Sequence, residues 1–261
     1  MSTAFTPAVA TVESTRIHTD EQGLVTRDIR FLRDDTHITA YVAQPEGTGP
    51  FPVVLLVHEI FGVHEHIRDV ARRLAKLGYL SIAPELFSRQ GDVSQLHSID
   101  EIRPIVAQVP DTQVLADLDA ALDWVVQHGG DPERVAITGF CWGGRITWLY
   151  AAHQSKIKAA VAWYGRLQGE RNHLQPSHPI DASAQLQAPV LGLYASDDSG
   201  IPLDDVTRFQ AALAAVESPS RVIVYPGAPH AFYADYRPSY RTSAARDGWQ
   251  KLQNWLRQHG V

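Results

Sequence analysis

Residues 136–145 read AITGFCWGGR. The β-favouring run RVAIT, 134–138, stops at Gly139, and the helix-forming run GRITWLYAAH, 144–153, begins almost at once. Between them, Gly139-Phe140-Cys141-Trp142-Gly143-Gly144 puts glycine two places before and two places after a cysteine. A strand, a sharp turn with the pattern Gly-x-Cys-x-Gly, and a helix together form a nucleophile elbow. The turn leaves no room for side chains at its flanks and projects the central one above the sheet. The helix that follows aims its free N–H groups at the same point, where they favour a thiolate and later an oxyanion. An isolated free cysteine is more often a small buried hydrophobe, but the glycine spacing argues against that here.

Outward from this point the chain alternates. FPVVLLVH, 51–58, is a continuous apolar run, as expected of a strand buried on both faces. EHIRDVARRLAKLGY has helical spacing, with Ile67, Val70, Leu74 and Leu77 on one side and Gly78 as its stop. LSIAPEL, IKAAVAWYG, APVLGLYAS and SRVIVYP read as further strands. DTQVLADLDAALDWVVQH, LDDVTRFQAALAAV and the tail from Ser239 to Gln258 read as helices. TRDIRF and HITAYVAQP alternate as an antiparallel pair. Residues 88–109 and 165–187 are expected to be irregular. Strands alternating with helices predict an α/β fold, a mostly parallel central sheet with helices on both faces. With no linker or internal repeat, the expected organisation is an N-terminal arm, 1–25, and one domain, 26–261.

The chain has 261 residues, enough to bury a full core, and a net charge of −6 with no basic cluster. That composition argues against a nucleic-acid or membrane-surface partner. The single cysteine excludes an internal disulfide. No signal-like N-terminus and no apolar run of membrane-spanning length are present, so a cytoplasmic protein is expected. The length and composition leave monomer and small homo-oligomer both open.

A cysteine nucleophile needs a base and an acid to orient it, and in this fold they follow in the order nucleophile, acid, histidine. ASDDSGIP after one strand offers Asp197 or Asp198, and PGAPHAF after the next offers His230. Both loops fall at carboxyl ends of strands, where open α/β sheets bind ligands. The residues alone do not choose between the two aspartates. Of the other histidines, His64 and His66 at a helix start and His173 and His178 in a loop are expected to be solvated. HEIFGVHEH is no H-E-x-x-H zinc motif, since Gly62 stands where the second histidine would be, so no metal or other cofactor is expected.

HEIFG at 58–62, APELFSRQG at 83–91, GFCWGG at 139–144, and SDDSGIP with PHAF resemble the dienelactone hydrolase, or carboxymethylenebutenolidase, family of α/β-hydrolases. The resemblance implies an α/β-hydrolase fold and a Cys141, Asp198, His230 triad acting on a small ester or lactone through a covalent acyl-enzyme. It implies that Glu59 takes the thiol proton when substrate binds, and that the Ile60 and Trp142 N–H groups form the oxyanion hole. It implies that Arg89 holds a substrate carboxylate, with Phe61, Trp142 and Phe232 lining an apolar pocket. Members carry a second arginine four residues after the histidine, where this chain has Ala234. Arg237 lies nearby, where the chain is expected to turn into its last helix. A general carboxylesterase or thioesterase acting on neutral substrates is the alternative enzyme, and a redox-sensing thiol without turnover the alternative outside catalysis.

Overall fold

The structure, a computed structural model, describes residues 4–261. In chain order its elements are β1 (Leu24–Arg33), β2 (Thr36–Pro45), β3 (Phe51–Val57), α1 (Glu65–Lys76), β4 (Leu80–Pro84), α2 (Ile99–Ala107), α3 (Asp111–Gln127) and β5 (Gly130–Phe140). There follow α4 (Trp142–His153), β6 (Ala159–Trp163), α5 (Pro179–Ala182), β7 (Val190–Asp197), α6 (Leu203–Ala215), β8 (Arg221–Pro229) and α7 (Thr242–Gln258). The strands form one sheet in the order β1-β2-β4-β3-β5-β6-β7-β8. β1, β2 and β4 pair antiparallel, and every other pairing is parallel. This is an α/β-hydrolase sheet.

β3 lies at its centre for a reason visible in its composition. Successive side chains of a strand point to opposite faces, yet Val53, Val54, Leu55, Leu56 and Val57 are all fully buried. Both faces are therefore covered. α1 packs against β2 and β4, α3 against β1 and β4, α4 against β5 and β6, and α7 against β6 and β7. Ile67, Val70 and Leu74 of α1 face the core, but Leu77, expected beside them, is 41% exposed because it caps the helix end before Gly78 turns the chain with φ +100°.

Two segments expected to be irregular contain helices. α2 is started by Ser98, whose side chain accepts the Glu101 N–H, while the Glu101 carboxylate accepts the His97 N–H. Pro104 inside it and a single buried residue, Ile102, hide it from a periodicity reading. α5 is one turn with a 3₁₀ turn at Ser183–Gln185 behind it. The last helix starts at Thr242 rather than Ser239. The first three residues of the expected N-terminal arm lie outside the described residues. The remainder runs over the surface on specific partners: Phe5 stacks on Tyr236 at 5.1 Å, Val12 N–H donates to Tyr236 C=O, and Thr15 Oγ1 donates to Asp235 C=O.

The parallel strands end at one edge, which collects His58 to Ile60 after β3, Cys141 after β5, Asp198 after β7 and His230 after β8. α4 is held beneath this edge by a buried ion pair. Arg145 donates from Nη1 and Nη2 to the two carboxylate oxygens of Asp111, each at 2.7 Å, and from Nη2 to Ser177 C=O at 2.8 Å. Removing one partner of such a pair strands the other charge. Asp111→Ala is expected to lower stability by about 3–5 kcal/mol, measured by urea unfolding. The double variant Asp111→Leu with Arg145→Met is expected to recover most of that loss.

Candidate active site

Cys141 sits at the tip between β5 and α4 with φ +56° and ψ −115°, a conformation that costs a non-glycine residue about 1–3 kcal/mol. Its N–H donates to Trp163 C=O at 3.0 Å, and its own C=O accepts the Gly144 and Arg145 N–H groups of the first turn of α4. The flanking glycines are required by contact. A Cβ on Gly139 would lie 2.4 Å from Gly143 O, and one on Gly143 would lie 2.5 Å from both Val57 O and His58 O. These neighbours are backbone and cannot swing aside. Their closeness brings the end of β3 against the start of α4, so Ile60 and Trp142 both line the cavity that holds the sulfur.

His230 Nδ1 is 2.6 Å from Asp198 Oδ2, and Gly200 N–H donates to Asp198 Oδ1 at 2.8 Å. An ionised Asp198 places the imidazole proton on Nδ1 and leaves Nε2 for the sulfur. Asp197, the other candidate, is exposed and accepts the Ser196 hydroxyl instead. Burial alone would depress the His230 pKa. The neighbouring Cys141 charge and the hydrogen bond with Asp198 outweigh it and raise the pKa to about 10.

Glu59 is fully buried. Tyr236 Oη donates to its Oε2 at 2.7 Å, and His64 Nε2 lies 3.5 Å from the same oxygen. Burial pushes its pKa up, but the His64 contact and the charges of His66 and Arg237 prevail, so the carboxyl is held below its ordinary range. Against expectation, His64 and His66 are buried, at 2% and 1% exposure. The reason lies far away in sequence: Tyr236 packs on both rings, at 5.1 and 4.9 Å, and Phe5 packs on His64. His178 is also buried rather than solvated, accepting from Arg145 Nε at Nδ1 and donating to Glu170 C=O from Nε2. His173 is exposed.

Two expected substrate contacts are corrected. The Arg89 guanidinium does not line the cavity: it donates to both oxygens of Asp117, at 2.6 and 2.8 Å. Asp117 is fully buried on α3 and requires a cation, so it captures the arginine that follows β4. Phe232 is likewise core, packed on Tyr225, Tyr164 and Trp163. Phe61 and Trp142 do line the cavity. It measures about 580 Å³ and is walled by Cys141, His230 and Ile60 as well.

Arg237 lines it too. It is half-buried, its guanidinium lies 5.6 Å from the centre of the Phe61 ring, and no carboxylate of the described residues pairs with it. Two consecutive turns explain its position. Ala234 N–H donates to Ala231 C=O and Arg237 N–H to Ala234 C=O, so each step of three residues makes one turn. The two turns carry the chain from Ala234, which is fully buried, to Arg237 in the cavity wall. The usable signal was this spacing of three in AFYADYR, which an assumed approach to the last helix obscured. Among the described residues one group, His18, Glu65 and Asp69, has potential metal ligands close together. Its carboxylates already pair with Arg72 and Arg73.

Residues 38–260 match the model of the dienelactone hydrolase family. A Methylorubrum extorquens AM1 protein that bears the provisional name carboxymethylenebutenolidase is 54% identical over 264 aligned residues, covering 100% of this chain and 91% of that protein. A similarly named protein of Escherichia coli K12 is 50% identical, covering 98% and 95%. The crystal structure of a Klebsiella pneumoniae protein provisionally titled a dienelactone hydrolase superposes with TM-score 0.88 at 52% identity, covering 90% of this chain and 99% of that one.

The His230 shift makes stability depend on pH. Its pKa in the fold, about 10, exceeds the ordinary imidazole value of 6.5, so its contribution is fully present below pH 6.5 and is lost as pH rises through 10. The difference in melting temperature between the parent and His230→Gln is expected to shrink steadily from pH 6 to pH 10.

Proposed function

The chain belongs to the dienelactone hydrolase family, and from that premise we propose that it hydrolyses a carboxylate-bearing lactone or ester by acyl transfer to Cys141. One observation carries the reading: His230, bonded through Nδ1 to Asp198, stands beside a cysteine held on an elbow.

Glu59 takes the thiol proton as substrate binds, and the thiolate attacks the carbonyl. The oxyanion forms beside the Ile60 and Trp142 N–H groups, the second of which opens α4 and carries the helix's positive end. The tetrahedral adduct collapses, the C–O bond breaks, and the leaving oxygen takes a proton from the His230 imidazolium. The sulfur is now a neutral thioester, so the charge that most raised His230 is gone and its pKa falls. The imidazole then accepts a proton from water, hydroxide adds to the thioester, and the sulfur departs as thiolate, which takes the proton of the acid just formed and becomes a thiol again. A lactone keeps its leaving group tethered, so this second step has to outrun reclosure.

Arg237 supports the anionic substrate. A carboxymethylene-butenolide, the substrate in the relatives' name, carries a carboxylate on its lactone. An arginine with no salt-bridge partner among the described residues, in the wall of the same cavity as the nucleophile, is suited to pair with it. Arg89's capture by Asp117 favours the second reading, a carboxylesterase or thioesterase for neutral substrates.

Cys141→Ala is expected to lower turnover by about four orders of magnitude or more while the variant still unfolds in a single cooperative transition. Undiminished hydrolysis by this variant would overturn the reading. Arg237→Gln is expected to lower kcat/KM by about 10–100-fold on an ester bearing a free carboxylate and to leave its neutral methyl ester unaffected. Equal rates of the parent on the two esters would favour the neutral-substrate enzyme.

A further inference from the structure

Ester hydrolysis at neutral pH yields a carboxylate, an alcohol and one proton. In the cycle above, which this inference rests on, the thiol proton goes to Glu59. The leaving oxygen is protonated by His230, His230 is recharged by water, and the departing thiolate recovers a proton from the newly formed acid. One proton is left on Glu59 and must reach solvent before the next turnover.

Glu59 has no direct way out. It is 0% exposed and is not among the residues lining the catalytic cavity. On its other side is His64. His64 lines a second cavity of about 530 Å³ that borders the first across Phe61, which lines both. Thr39, Glu85 and Ser94 form part of its wall, and the exposed residues Ser88 and Gln95 form its rim, so it opens to solvent. His64 Nε2 is 3.5 Å from Glu59 Oε2. Neither His64 nitrogen makes a hydrogen bond of good geometry with the described residues, and neither does Glu59 Oε1, though all three atoms are buried.

We propose that His64 relays the proton from Glu59 to solvent in this second cavity, an exit separate from the entrance used by substrate. The Glu59 carboxyl gives its proton to Nε2, forming a carboxylate and an imidazolium. A water entering from the second cavity takes the proton on Nδ1, which is buried until that water arrives, and exchange with the same solvent resets the tautomer. Burial lowers the His64 pKa despite the opposing contact with Glu59, which suits a group that passes a proton on rather than keeping it. The charged and titratable groups facing His64 are Glu59, His66, His58 and Tyr236. His66 offers no parallel route: its Nδ1 faces Asp235 at 3.3 Å, and Asp235 is bonded to Arg73.

The test uses the full-length protein, a chromogenic ester bearing a carboxylate, and two variants. His64→Ala removes the relay, and Ser94→Trp fills the second cavity. In weak buffer both are expected to retain the parent's burst of one acylation per Cys141 while steady turnover falls by about tenfold or more. Added imidazole, small enough to enter the cavity left by His64→Ala, is expected to restore that variant and leave the parent unchanged. Steady turnover equal to the parent in both variants would overturn the relay, as would a loss in His64→Ala that imidazole does not reverse. Absence of the burst in the parent would instead overturn the acyl-enzyme itself.

Discussion

The contact between the end of β5 and the first turn of α4 leaves no space for a single extra carbon atom. Backbone carbonyls from Gly143, Val57 and His58 occupy the positions that Cβ atoms would take at residues 139 and 143. That closeness makes the turn at Cys141 sharp enough to force a positive φ, and it carries the functional geometry with it. The sulfur stands over the N-terminus of α4, and the segment after β3 is pulled in until Ile60 and Trp142 share one cavity wall. The strain at Cys141 is sustained because the sheet on one side and α4 on the other fix both ends of the turn.

Around this point the charges are arranged in two layers. Facing the cavity are the sulfur, the imidazole of His230 with Asp198 behind it, and the guanidinium of Arg237. Behind the wall lies a buried set: Glu59, His64, His66, Tyr236 and Asp235. The chain is acidic overall, with a net charge of −6, but the cavity presents Arg237, which feels the charge of the buried Glu59 yet makes no salt bridge among the described residues. Elsewhere buried arginines and carboxylates do meet, as in Arg145 with Asp111 and Arg89 with Asp117. Charges taken from water are costly unless paired, which is why the half-buried Arg237 beside Cys141 supports the proposal of an anionic substrate.

Much of this was legible in the sequence, because the responsible signals are local. The apolar run of β3, the periodicity of α1, α3 and α6, and the glycine spacing at the elbow each depend on neighbours within a few residues. α2 escaped because its start signal is one serine and its interior holds a proline. The misplaced side chains share a different cause. Arg89 was expected in the cavity and went to Asp117, 28 positions away; His64 was expected in water and is covered by Tyr236 and Phe5. Arg237 was passed over because the turns that bring it round depend on hydrogen bonds inside a loop.

The order of strands and helices, the elbow and the strand ends that carry Asp198 and His230 follow from the amino-acid sequence by itself, since propensity, periodicity and the size of a side chain act along the chain. That Asp198 bonds His230, that Arg89 is paired while Arg237 reaches the cavity, and which histidines lose contact with water were settled by the tertiary structure. Those outcomes rest on competition for partners and on burial, and both are set by residues that become neighbours only after the sheet has closed around β3.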